Sequence, residues 1–139
     1  LRTEITDGRD LAATAAEFLQ RVQQRSGIST RCDLQIGERL PSNVERELWQ
    51  IIREAIINAE RHSRATHLLL TGRRRPDGVT ITVRDDGVGL DNTNARPDSY
   101  GLVGMRERAH RLDAELAVHS LVEGGTEMRI ELPLEGTLR

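Results

Sequence analysis

The sequence predicts an α/β (α+β) two-layer sandwich: a mixed, largely antiparallel sheet covered on one face by about three helices. Three observations carry this. Helical periodicity alternates with short runs rich in Val, Ile, Leu and Thr, in the order helix, strand, helix, two strands, loop, helix, two strands. Strands joined by short turns favour antiparallel pairing, which leaves the helices on one face. The glycine-rich segments lie late in the chain, too late for the fingerprint of a doubly wound dinucleotide fold.

The first helix is expected from Asp7 to Gly27. Leu11, Ala15, Phe18, Leu19 and Val22 recur at helical spacing, and Gly27 suits a left-handed C-terminal cap. Ile28 to Ile36 reads as a strand. Pro41 marks a turn, and Ser42 with Glu45 spells a capping box that opens a long helix running to about His62. His67 to Arg73 and Val79 to Asp85 read as strands joined through the turn Pro76-Asp77-Gly78. Leu90 to Tyr100 reads as a polar loop, long enough to serve as a small lid. Gly101 to Leu112 is helical again. Leu116 to Val122 and Met128 to Leu132 close the chain as a hairpin around Glu123-Gly124-Gly125.

Composition bounds the function. A chain of 139 residues suits one domain with a core of its own. Aromatics make up only 2 %, so that core is aliphatic. The net charge of −2 argues against a nucleic-acid module built on bulk positive charge. Cys32, the one cysteine, has no internal partner, and a reducing compartment is expected. All 20 basic residues are Arg. The absence of Lys excludes a Walker A loop, a eukaryotic-type protein kinase and Schiff-base chemistry. The sequence has no run of about 18 apolar residues that could span a membrane.

On the long helix, Leu48, Ile52, Ala55 and Ala59 form an apolar stripe, widened by Trp49 and Ile56. Glu54 and Asn58 are four apart and share the opposite flank of that stripe, near Ile51. Alone, they read equally as a solvated polar flank. As chemistry, Asn58 offers the single hard oxygen that Mg²⁺ accepts beside water and phosphates. Glu54 offers a group to orient or deprotonate a nucleophile. Arg61 and His62 continue the helix and can meet phosphate, or serve as ordinary surface residues.

Asp85-Asp86-Gly87-Val88-Gly89 ends a strand. Glycines there let backbone approach a flat ligand, and Asp85 can accept a hydrogen bond from an exocyclic amine; an ordinary Asp-Gly turn fits as well. Gly101-Leu102-Val103-Gly104 opens a helix, where free N–H groups and the helix dipole favour anions. Gly124-Gly125-Thr126 precedes the last strand, as a hairpin turn or as a bearer of Thr126 toward Asp85.

Taken together, the segments resemble the Bergerat ATP-binding fold of the GHKL superfamily over about residues 11 to 134. Arg53 to His62 resembles the N box, Asp85 to Gly89 the G1 box, Gly101 to Gly104 the G2 box, and Gly125-Thr126 the final GT element. The run Tyr100-Gly101-Leu102-Val103-Gly104-Met105-Arg106-Glu107-Arg108-Ala109 and the absence of a separate F box are similar to the catalytic domains of nitrate-sensor-type histidine kinases.

The resemblance implies ATP and Mg²⁺ as cofactors, with Asp85 on the adenine amine, Asn58 on Mg²⁺ and Glu54 as the catalytic group. It places Arg61 and His62 near the phosphates. Gly87, Gly89, Gly101, Leu102, Gly104 and Thr126 shape the pocket. It implies transfer of the γ-phosphoryl group to a histidine on a separate dimerisation domain, then relay to a response regulator with a helix-turn-helix output.

Residues 1–139 are expected to form one catalytic domain, with 1–10 and 135–139 as flexible ends. None of His62, His67, His110 and His119 is followed by Asp or Glu, and the chain opens at Leu1. It therefore reads as an excised catalytic domain without its acceptor, monomeric alone and homodimeric at full length. A cytoplasmic location is expected, free or as part of a membrane-anchored sensor, with no direct nucleic-acid contact. The alternative is an anti-sigma-factor-type serine kinase of the same fold, whose main work is protein binding.

Overall fold

The computed structural model describes residues 10–89 and 101–134. Helix α1 (Leu11–Ser26) starts where the Asp10 carboxylate accepts the N–H of Ala13 at 2.9 Å, and it ends on Gly27 at φ 81°. The cap at Asp10 corrects the expected start at Asp7: an N-cap residue is extended, so helical dihedrals begin only after it. The order then runs β1 (Ser29–Gln35), α2 (Ser42–His62), β2 (His67–Arg75), β3 (Gly78–Asp85), α3 (Leu102–Arg111), β4 (Glu115–Ser120) and β5 (Thr126–Pro133). The expected lid, Leu90 to Tyr100, lies outside the described residues.

The five strands form one mixed sheet in the order β1-β2-β3-β5-β4. The β2–β3, β3–β5 and β4–β5 pairs are antiparallel. β1 and β2 are parallel, because α2 intervenes and returns the chain to the same end of the sheet. Alternation in the central strands is partial, with Thr80 and Glu127 buried as well. Val79, Ile81 and Val83 are buried beside Met128, Ile130 and Leu132, while Arg84, Arg129 and Glu131 stand exposed.

α2 buries Leu48, Trp49, Ile51, Ile52, Ala55, Ile56 and Ala59 in the core that lies between helices and sheet. α1 adds Leu11, Ala15, Phe18, Leu19 and Val22, with the Phe18 ring edge-on to Trp49 at 5.4 Å. At the far end, Arg25 meets Glu60 through two hydrogen bonds of 2.7 and 2.8 Å, tying α1 to the last turns of α2.

The start of α2 corrects the expected capping box. Pro41 takes the N-cap position and makes no side-chain cap bond. The Glu45 carboxylate turns back to accept the N–H of Leu40 at 3.1 Å and the Arg39 guanidinium at 2.8 to 3.0 Å. Arg39, six residues upstream, outcompetes the capping pattern, since a charge-assisted paired contact is stronger than a bond to one backbone N–H.

Candidate functional site

A slot, partly open to solvent, lies between the helix layer and the end of the sheet. Ala55 and Ala59 of α2, Leu102 and Met105 of α3, and Val83, Val118 and Met128 of the sheet give it apolar walls. Its polar groups come from three separate stretches: Asn58, His62 and Ser63; Asp85; and Thr126. An apolar cleft with a few placed polar groups suits a small, flat ligand.

Asp85 is the buried charge of the slot, 7 % exposed. Burial pushes its carboxyl above the usual aspartate range. The backbone N–H groups of Gly87, at 2.9 Å, and of Thr126 pull it back down, while the neighbouring Asp86 charge pushes it up. Those N–H bonds leave lone pairs free for a ligand donor.

Glycines are required around it by contact. A Cβ at Gly87 would strike the carbonyl of Ser63, and one at Gly125 the carbonyl of Asp85. The strand end and the β4–β5 turn therefore meet backbone to backbone. Gly89, at φ 84°, is buried where a Cβ would stand 3.1 Å from Ser120 Oγ.

Asn58 and Glu54 are both half-buried on α2. Asn58 lines the slot; Glu54 instead faces Gly101, where any Cβ would strike its carboxylate. Gly101 precedes α3 at φ 67°, and its carbonyl accepts the N–H of Met105 at 3.0 Å. Glu54 thus sits where the N-terminus of α3 borders the slot.

His62 lines the slot, whereas Arg61 beside it is exposed and does not. Helical geometry separates them: a step of one residue turns about 100°, so both cannot face the same wall. Gly104 is exposed and a Cβ there would meet nothing within 4 Å outside its own helix, so no contact among the described residues demands glycine there. The structure thus brings Asn58, His62, Asp85, Leu102 and Thr126 together, sets Glu54, Gly87, Gly89 and Gly101 at the borders, and leaves Arg61 and Gly104 on the surface.

Sequence reasoning missed Asp86. Its Oδ1 accepts the N–H groups of Thr66 and His67, each at 2.8 Å. Its Oδ2 accepts the Thr66 hydroxyl at 2.7 Å and lies 2.9 Å from His67 Nδ1. Partial burial pushes Asp86 up, but these bonds outweigh it and hold the carboxyl well below the usual range. The doubled aspartate in the sequence was the available signal.

Among the described residues no three His, Cys, Asp or Glu side chains gather as a metal site. The hard-oxygen donor on the slot is instead the Asn58 amide, across from Leu102 at the start of α3, which fits a metal carried mainly by phosphates and water.

Fold and slot define a two-layer sandwich domain with an apolar, partly open cleft at the end of its sheet. The chain belongs to the histidine kinase-, DNA gyrase B- and HSP90-like ATPase family, whose model matches residues 43–136. It is 30 % identical over 135 residues to the signal transduction histidine-protein kinase/phosphatase DegS of Brevibacillus brevis, covering 96 % of this chain and 35 % of that protein. It is 36 % identical over 112 residues to the nitrate/nitrite sensor protein NarX of Escherichia coli K12, covering 80 % of this chain and 19 % of NarX. The chain thus spans about a third or less of these relatives. In solved structures, the ATP binding domain of PrrB from Mycobacterium tuberculosis shares the fold with a TM-score of 0.66 at 22 % identity, over 92 % of this chain and 94 % of that one. The histidine kinase domain of the Erythrobacter litoralis EL346 blue-light activated kinase gives 0.71 at 21 %, over 92 % and 67 %.

Proposed function

We propose that this domain is the ATP-binding, phosphoryl-donating half of a two-component sensor histidine kinase. The observation that carries the reading is the convergence of Asp85, Asn58, His62 and Thr126, from three distant stretches of chain, on one apolar slot. Asp85 accepts the adenine amine, and the apolar walls hold the ring. Asn58 holds Mg²⁺, which when bound neutralises phosphate charge. Glu54, beside the α3 terminus, orients the attacking imidazole and takes its proton. Phosphoryl transfer depends mainly on positioning and charge neutralisation, so these residues suffice for the nucleotide half.

The acceptor histidine belongs to a separate dimerisation domain, and the phosphoryl group passes on to a response regulator with a helix-turn-helix output. The names of the relatives support histidine over the serine kinase alternative. The domain alone is a monomer and the full protein a homodimer. It works in the cytoplasm, free or attached to a membrane sensor; among the described residues no helix is long and apolar enough to cross a membrane.

Calorimetric titration with ATP and Mg²⁺ tests the nucleotide half. Asp85→Asn should weaken ATP binding on the order of tens of fold while the fold persists, as loss of a charge-assisted hydrogen bond implies. Unchanged affinity removes Asp85 from the base site. Phosphate appearing on the serine of a small antagonist protein, and not on the histidine of a supplied dimerisation domain, would select the alternative.

A further inference from the structure

We infer that Asp86 is a positioning residue for base recognition: by pinning Thr66 and His67 it fixes the α2–β2 connection, and with it one wall of the slot, relative to Asp85. The inference rests on the reading that Asp85 takes the adenine amine.

Adjacent residues at a strand end point to opposite sides. Asp85 turns into the slot, and Asp86 turns away from it onto the connection between α2 and β2. The four contacts of the Asp86 carboxylate all go to Thr66 and His67, the residues that lead into β2. The main chain laces the same two segments. Val88 N–H donates to the Ser63 carbonyl at 2.7 Å, and Asp86 N–H donates to the His67 carbonyl at 3.3 Å. The absent Cβ of Gly87 lets residue 87 lie directly on Ser63.

Ser63 and His62 are themselves slot wall. Any movement of the 63–67 connection away from the strand end therefore opens the slot between that wall and Asp85. Hydrogen bonding to a fixed amine is sensitive to such a shift, whereas stacking on apolar walls is not. The effect of losing Asp86 is accordingly a loss of base discrimination more than of general nucleotide affinity.

The test is calorimetric titration of the full chain with ATP and with ITP, both with Mg²⁺, alongside thermal melting. ITP carries a carbonyl where ATP carries the amine. For Asp86→Ala the preference for ATP over ITP should shrink about tenfold, approaching that of Asp85→Asn. Asp86→Asn should restore most of it, because its oxygen can accept both backbone N–H groups and its amide can donate to Thr66 Oγ1. If Asp86→Ala does not fold, Thr66→Val removes one partner, and a preference reduced about threefold carries the same conclusion. A variant that melts lower yet keeps the full ATP:ITP preference overturns the inference and leaves Asp86 an anchor only. Failure of the underlying reading looks different: the unaltered chain, or Asp85→Asn against it, shows no change in preference, and the inference falls with it.

Discussion

The α-carbon of Gly125 rests against the backbone carbonyl of Asp85 so closely that no side chain fits between them. Gly125 holds φ at 104°, and its own carbonyl accepts the N–H of Leu121 at 2.8 Å. The next residue, Thr126, supplies an N–H to the Asp85 carboxylate. The β4–β5 turn is therefore seated on the acid that it helps to support.

Gly125→Ala must displace that turn. Backbone strain at positive φ costs about 1–2 kcal/mol before the collision is counted. We expect a melting temperature lower by at least roughly 5 °C and ATP affinity reduced about tenfold. Gly124→Ala is the control: it has the same φ, but a Cβ there would stand 3.6 Å from the nearest atom, the carbonyl of Gly87. It should lose stability and keep affinity. Circular dichroism melts and calorimetry separate the two; equal affinity loss in both would detach the contact at Gly125 from binding.

Two aspartates side by side give opposite pH dependence. Asp85 has its folded pKa raised, chiefly by burial, so folding disfavours its ionised form. The ligand-free domain therefore gains stability from Asp85 as pH falls through that raised value, down to the unfolded value near about 3.9. Asp86 has its folded pKa lowered, because hydrogen bonds from Thr66 and His67 outweigh its burial. Its contribution is present above about 3.9 and fades as pH falls further; it is small, since Asp86 is 44 % exposed and screened by solvent. Adenine preference needs ionised Asp85, with His62 lining the same slot and Asp86 adjacent. The ATP:ITP affinity ratio should thus decline on acidification at a higher pH than an unburied aspartate would give. In Asp85→Asn the ratio should be low and independent of pH; a pH-dependent ratio in that variant assigns the titration elsewhere.

Much of this was legible in the chain, for physical reasons that also mark where legibility ends. The stripe Leu48, Ile52, Ala55, Ala59 and the Gly27 stop are local signals, and they place α1 and α2 well. The parallel β1–β2 pair follows once α2 is seen as a crossover, but short-turn reasoning does not show it. The Ser42–Glu45 pattern misled, because Arg39 lies outside the motif and captures Glu45. Asp85, Asn58 and Thr126, read from separate motifs, line one slot. Asp86 and Gly125 act through backbone approaches between segments tens of residues apart, which no spacing rule encodes.

Glu45 is 1 % exposed, and its carboxylate holds both Leu40 N–H and Arg39. Glu45→Ala leaves the Leu40 N–H without that acceptor, while Arg39, itself 40 % exposed, can return to water. The expected loss is about 2 kcal/mol, short of the cost of stranding a fully buried partner. Glu45→Gln keeps an acceptor and should lose about half as much. Denaturant melts measure both. Equal losses would mean that the charge, and not the bond to Leu40, holds the entry to α2.

The last prediction separates binding from transfer on one helix face. Asn58 lines the slot, whereas Glu54, one turn earlier, faces Gly101 at its border. If Asn58 holds Mg²⁺, Asn58→Ala should erase the difference between ATP affinities measured with and without the metal, leaving metal-free affinity within about twofold. Glu54→Ala should barely change ATP affinity, yet lower phosphoryl transfer to a supplied dimerisation domain on the order of a hundredfold, as expected for a group that acts in the transition state. Glu54→Gln distinguishes proton acceptance from packing, since it preserves the contact with Gly101 and removes the base. Transfer that survives in Glu54→Gln and fails in Glu54→Ala would make Glu54 a spacer for the α3 terminus, and another residue would have to receive the proton.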